Sequence, residues 1–212
     1  MTSHPLHDVD KLKTKYRLLE VAARHLALHG VAGTSLRAVA AEAGVSAAAI
    51  YRHYPGGKAD LHAATLGMVA EAVARLVWEE PAREEPLAEA LVRRVALLWD
   101  FFDEHGAIAA LVVRENVAGG PDGPSPFLGE HLAAIAALRK LLERAVAAGE
   151  LRAINVSSFL FWVTTYVTSF HGCRALRDAV WTARDLRRAR QSFLDAVRAE
   201  LTPEPAHRSR TR

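Results

Sequence analysis

Apolar residues recur along this chain at steps of three and four, and no stretch alternates with a period of two for long enough to make a strand. The pattern predicts helices throughout. The first spans Leu12–His29, with Tyr16, Leu19, Ala22, Ala23 and Leu26 on one face. Gly30 is placed to end it, because a left-handed glycine lets the last carbonyls find donors. Thr34 and Ser35 can cap a second helix running to about Glu42. Ser46 opens a third that ends near His53, and Pro55-Gly56-Gly57 is a turn. A long helix then runs from Lys58 to about Glu80, followed by Pro86–His105, Ala107–Val117 and Phe127–Ala148. Asn155 or Ser157 starts another that passes His171, and the last is Thr182–Leu201. Gly119–Pro126 (GGPDGPSP) reads as a mobile loop, and the basic tail after Pro203 as disordered. The fold class expected is all-α.

Composition narrows the choice of environment. One cysteine, Cys173, leaves no material for an internal disulfide framework or a Cys-rich zinc site, which suits a reducing cytoplasm. Residues 1–25 hold no apolar run of signal-peptide length. The longest strongly apolar stretch, Phe159–Val167, is far short of the ~18 residues a membrane span needs. The expectation is a cytoplasmic protein with no membrane partner. Charge is uneven: residues 1–58 carry eight basic and four acidic side chains, and residues 59–212 carry nineteen and twenty. A basic N-terminal part on a neutral body is what a nucleic-acid partner asks for, although a merely solvated basic face has the same balance.

Residues 36–55 read LRAVAAEAGVSAAAIYRHYP, which has the spacing of a helix-turn-helix. Val39 falls on the core side, and Ala40 where two helices cross too closely for a larger side chain. Gly44 supplies the positive φ of the tight turn. Val45 and Ile50 lock the second helix, and Ser46 caps it, so that its N-terminal N–H groups can meet a phosphate. An ordinary αα-corner in a bundle shares the glycine.

The stretch from Tyr16 to His62 resembles the DNA-binding domain of the TetR family of transcriptional regulators. The matching residues are Leu18-Leu19, Ala22-Ala23, Leu26 and Gly30, then Thr34-Ser35-Leu36, Val39-Ala40 and Ala43-Gly44-Val45-Ser46. They continue through Ala49-Ile50-Tyr51, His53-Tyr54, Lys58 and Leu61. The family usually has two residues between the aromatic and the lysine; here Tyr54 and Lys58 are separated by three. The resemblance implies a DNA-binding domain over 1–57, ordered from about residue 10. It implies a ligand-binding and dimerisation domain over 58–202, and leaves 203–212 as tail. It places Thr34, Ser35, Ser46, Tyr51, His53 and Lys58 on the DNA backbone. Their hydroxyl, N–H and ammonium groups suit phosphate oxygens. Lys11, Lys13, Lys15 and Arg17 could add a basic arm or be a solvated helix start.

Base reading is unusual. The recognition helix offers Ala47, Ala48 and Ala49, which cannot hydrogen-bond a base edge and can only touch thymine methyls. Hydrogen-bonded readout is therefore expected from Arg37, with Arg52 second.

For the body, the resemblance implies a homodimer and a cavity for a small-molecule inducer. Val156–Cys173 is apolar around most of its circumference, so it must be buried on two sides. The last helix pairs an apolar stripe with an Arg-rich face. Both could form a four-helix dimer interface, or both could complete a monomer core. Trp99, Phe102, Arg114, His131, Trp162, Tyr166, Phe170 and His171 could line a cavity for a mostly hydrophobic ligand, or simply pack; Arg114 could pair with an acid or meet the ligand.

An enzyme is disfavoured: no nucleophile elbow, zincin, phosphate-loop or dinucleotide motif occurs. No cofactor or metal is expected. His25 and His29 stand at i, i+4 but read as exposed surface histidines. The reading is a regulator, with double-stranded operator DNA, a second copy and a small-molecule inducer as partners. It is a repressor released from an inverted repeat by its ligand. Ligand-independent regulation, activation, or a helical protein-interaction module are the alternatives.

Overall fold

The computed structural model describes residues 5–78, 85–117 and 126–203, and the described residues form ten helices and no strand. They are α1 (Pro5–Gly33), α2 (Leu36–Ala43), α3 (Ala47–His53), α4 (Lys58–Trp78) and α5 (Leu87–Glu104). Then come α6 (Gly106–Val117), α7 (Pro126–Ala147), α8 (Val156–Gly172), α9 (Arg174–Val180) and α10 (Ala183–Leu201). The all-α expectation holds. The expected loop over 119–125 and the tail from 204 onward lie outside the described residues.

Capping side chains set the starts of α2, α3, α8 and α10. Ser35 Oγ accepts from the Ala38 N–H (3.3 Å), Ser46 Oγ from Ala49 (3.1 Å) and Asn155 Oδ1 from Ser158 (2.9 Å). Thr182 and Asp185 form a reciprocal capping box. Each cap stabilises its helix by about 1 kcal/mol. The first helix ends differently from the expectation. Gly30 has the positive φ (+64°), but its ψ of −179° is extended, and the chain makes one more turn to Gly33. The Thr34 N–H and hydroxyl both donate to the Gly30 carbonyl, at 3.1 and 2.6 Å, and that pair holds the bend.

One apolar core runs through the described chain. Leu19, Leu26, Val39, Ile50 and Leu61 fill the N-terminal part, and Val69 on α4 carries the core onward to Leu111, Trp99, Phe102, Leu142 and Val167. α6 packs against both α1 and α8, so it joins the two parts. α10 lays Ala189, Phe193, Leu194, Val197 and Leu201 inward, with α5 as its main neighbour. Arg190 fastens it through two hydrogen bonds to Asp100 (2.7 Å each), and Arg198 through two to Glu89 (2.9 and 3.2 Å).

Two expectations need correction. The apolar stripe of the last helix, weighed as half of a dimer interface, is buried inside the chain, because α5 offers it a matching face. α9 was not anticipated; it has no capping side chain and no buried residue, so its sequence carries no periodic signal. No helix among the described residues is long and apolar enough to cross a membrane.

Candidate nucleic-acid interface and cavity

The α2–α3 corner forms as its sequence dictates. Gly44 sits in the left-handed region (φ +66°, ψ +34°) and ends α2. The Val45 N–H reaches back to the Ala40 carbonyl (2.9 Å). Val39, Ala40, Ala43 and Ile50 are buried, which holds α3 across α2. What α3 leaves outside is Ala48, Tyr51, Arg52 and His53, with Ala47 and Ala49 half-buried. The first turn of α3 carries only Ala47, Ala48 and Ala49, small enough to let a duplex groove come close to the backbone there.

Beside it lies a concavity of about 620 Å³ lined by Thr34, Ser35, Arg37, Tyr51, Gly56 and Lys58, among others. The sequence had named five of these six from separate segments, and the fold brings them together. Their roles within it differ. Ser35, Arg37 and Tyr51 are exposed. Thr34 is buried and its hydroxyl is committed to Gly30, so it shapes the bend. Lys58 Nζ donates to the Ala32 carbonyl (2.8 Å), which swings the ammonium toward the start of α2. The long turn before it closes on itself: the Gly57 N–H donates to the Tyr54 carbonyl (2.8 Å) and the Gly56 N–H to Asp60 Oδ2 (2.7 Å). Gly57 has φ +68°. The extra residue is thereby absorbed, and Lys58 still faces the concavity.

Of the basic arm, Lys15 and Arg17 are exposed, and the Arg17 guanidinium lies near the Gly44 turn. The side chains of Lys11 and Lys13 lie outside the described ones. His25 departs from its reading as an exposed surface residue: it is half-buried, and its Nε2 donates to Glu42 Oε2 (2.8 Å). Arg24 donates to the other Glu42 oxygen (2.8 Å), and these two hydrogen bonds hold that carboxyl below the usual range. Among the described residues no group of His, Cys, Asp and Glu has the makeup of a metal site.

The body contains a cavity of about 650 Å³ between α6, α7 and α8. Val113, Asn116 and Val117 of α6, Ile135, Ala136 and Arg139 of α7, and Ser157, Leu160, Phe161, Thr164, Thr165, Thr168 and Ser169 of α8 line it. None of the seven candidate residues with described side chains is among them; the His131 side chain lies outside the description. Trp162, Tyr166 and Phe170 stand on another face of α8 and pack with Trp99, Phe193 and His171 in one aromatic cluster. Phe102 is buried, and Arg114 lies against Gly30. The aromatic residues attracted the sequence reading; the hydroxyl row Ser157, Thr164, Thr165 and Thr168 was the signal it missed.

His171 is fully buried, and neither ring nitrogen has a hydrogen-bond partner. Desolvation lowers its pKa to about 4, against the opposing pull of Asp103, whose Oδ1 is 3.6 Å from Nδ1.

Two family models match the chain. The one for bacterial regulatory proteins of the tetR family covers residues 18–72, and the one for the tetracyclin repressor-like C-terminal domain covers residues 88–197. Among curated proteins, none is similar enough in sequence to count as a relative. Solved structures share the fold. A bacterial regulatory protein in the tetR family from Rhodococcus RHA1 is 16% identical with a TM-score of 0.68, over 91% of this chain and 99% of its own. The ketosteroid transcriptional regulator KstR2 of Mycobacterium tuberculosis is 21% identical with a TM-score of 0.64, over 88% and 94%. The TetR family transcriptional regulator PfmR from Thermus thermophilus is 19% identical, also at 0.64, over 85% and 93%. With an α2–α3 reading head, a helical body and both family models in register, the chain belongs to the TetR family of DNA-binding bacterial transcriptional regulators.

Proposed function

We propose that the protein is a cytoplasmic, homodimeric repressor that leaves an inverted-repeat operator when a mostly apolar small molecule enters the α6–α7–α8 cavity. The observation that carries this reading is the cavity itself. Its volume falls in the range of small-molecule sites, and its wall combines six apolar side chains with five hydroxyls, the Asn116 amide and one cation, Arg139. A second copy is accommodated on the outer face of α8. There Phe161 is 73% exposed and Ser158 and Thr165 are open, while Trp162 and Tyr166 are half-covered. A two-fold pair of reading heads asks for two inverted half-sites about one helical turn, or a multiple of it, apart.

The experiment is selection of bound duplexes from a random pool, followed by titration of the selected duplex with the apolar fluorescent sulfonate 1-anilinonaphthalene-8-sulfonate. The reading expects an inverted repeat, and an operator affinity that falls as the dye binds. Thr164→Trp, which fills the cavity, should remove the dye's effect. A selected duplex indifferent to every cavity-binding probe would leave a ligand-independent regulator.

A further inference from the structure

α6 packs along both parts of the molecule, against α1 of the DNA-binding part and against α8 of the body. Its first half is held to α8 backbone against backbone. A β-carbon on Gly172, the last residue of α8, would stand 2.9 Å from the Ala109 carbonyl carbon and oxygen and from the Ala110 nitrogen. Gly172 does not have a positive φ, so its own backbone makes no demand for glycine; the demand comes from the closeness of α6.

The last turn of α6 faces two ways. Arg114 lies so tightly along Gly30, where α1 bends, that a methyl group there would overlap its guanidinium. Glu115 accepts a hydrogen bond from His62 Nε2 of α4 (3.0 Å), and both side chains are largely covered. On the same turn Val113, Asn116 and Val117 face the cavity. One more polar contact crosses this seam just before α6, from His105 Nδ1 to Glu20 Oε1 of α1 (2.9 Å). From Ala109 to Glu115 is about 9 Å of rigid helix at 1.5 Å per residue. A shift at either end of that length is therefore carried to the other.

We propose that Gly172, Arg114 and Glu115 are positioning residues: Gly172 is the fixed point of α6, and Arg114 and Glu115 are its grip on the DNA-binding part. Together they set the angle of the reading heads and hence the half-site spacing the dimer accepts. The proposal rests on the regulator reading above. It goes beyond that reading by assigning operator spacing to residues that touch neither DNA nor the cavity wall. A half-buried glutamate that loses its histidine partner is left unsatisfied, so the last turn is free to settle elsewhere.

The test uses the full chain and duplexes selected by the wild-type protein, with the spacer lengthened or shortened by one base pair. Glu115→Ala and His62→Ala should each weaken binding to the selected spacer about tenfold while leaving the altered spacers nearly unchanged, so the spacing preference flattens. The double variant should add little to either single one, since the two remove one contact. Gly172→Ala should flatten the profile in the same way, and if it fails to fold, the His62 and Glu115 variants decide. A loss equal at every spacer length would make the contact merely structural and overturn the proposal, as would variants with the wild-type affinity and profile. A wild-type protein that selects no duplex would instead overturn the regulator reading beneath it.

Discussion

Tyr166 of α8 and Phe193 of α10 stack with ring centroids 4.4 Å apart and planes 11° from parallel. The pair lies at the centre of a cluster in which Trp99, Trp162 and Phe170 each contact at least one of the two rings. This is packing between three helices, and it fixes the side of α8 that faces away from the cavity. Phe193 is buried, so Phe193→Ala removes a whole ring from a filled site. It should cost about 3–5 kcal/mol in a denaturant melt. Tyr166→Phe, which keeps the stack, should change stability by less than about 1 kcal/mol.

Arg37 and Lys58 line one concavity but should fail differently when removed. If Arg37 reads a guanine, Arg37→Ala should cost about 1–3 kcal/mol on the selected duplex and relax preference at one base pair per half-site. Lys58→Ala should weaken all duplexes alike and reduce the salt slope by about 1. Duplex selection with each variant, repeated at two salt concentrations, separates the two roles. Uniform loss with Arg37→Ala would reduce it to a phosphate clamp.

The reading head was legible in the sequence because its determinants are local. Ser35, Ser46 and Gly44 act within three or four residues of their own positions, and the same is true of Asn155 and Thr182. The cavity was hard to see, because the hydroxyl row of α8 is weakly polar and sits among apolar residues on every side. Only the packing of α5, α6 and α7 around it decides that Trp162, Tyr166 and Phe170 go one way and Thr164 and Thr168 the other. The seam contacts are hidden for a related reason: His62 and Glu115 are 53 positions apart, and neither has a pattern around it. Likewise Arg114, a candidate ligand anchor by its apolar neighbours, finds the bend at Gly30 instead.

His171 makes stability depend on pH in a definite direction. Its folded pKa of about 4 lies below the ordinary histidine value of 6.5, so between the two the unfolded chain holds a proton that the folded chain refuses. Stability at this site is complete above pH 6.5 and is lost as pH falls toward 4. At ~1.4 kcal/mol per pKa unit, the loss amounts to about 3 kcal/mol. His171→Phe keeps an aromatic ring among Trp99 and Phe170 and has no proton to gain. Denaturant melts at about pH 7.5, above that window, and about pH 4.5, near its lower end, should therefore show a steeper drop for the wild type than for the variant. Equal drops would place the proton elsewhere.

The outer face of α8 is the surface on which a second copy should sit, and the argument is one of what remains. α10 has already buried its apolar stripe against α5, so its outward side offers mainly Arg187, Arg188, Gln191 and Asp195. α8 still exposes Phe161, with Ser158 and Thr165 open on either side along the helix. Across a two-fold axis each of these residues recurs on the partner, so one substitution acts twice. Phe161→Asp would bring two carboxylates into an apolar contact, where their desolvation and mutual repulsion both oppose association. Phe161 also lines the cavity, so Ser158→Arg, on the same exposed face but outside the lining, provides the control. Sedimentation should show a dimer for the wild type and monomer for both variants, with operator affinity reduced in each. Variants that remain dimeric would move the interface off α8.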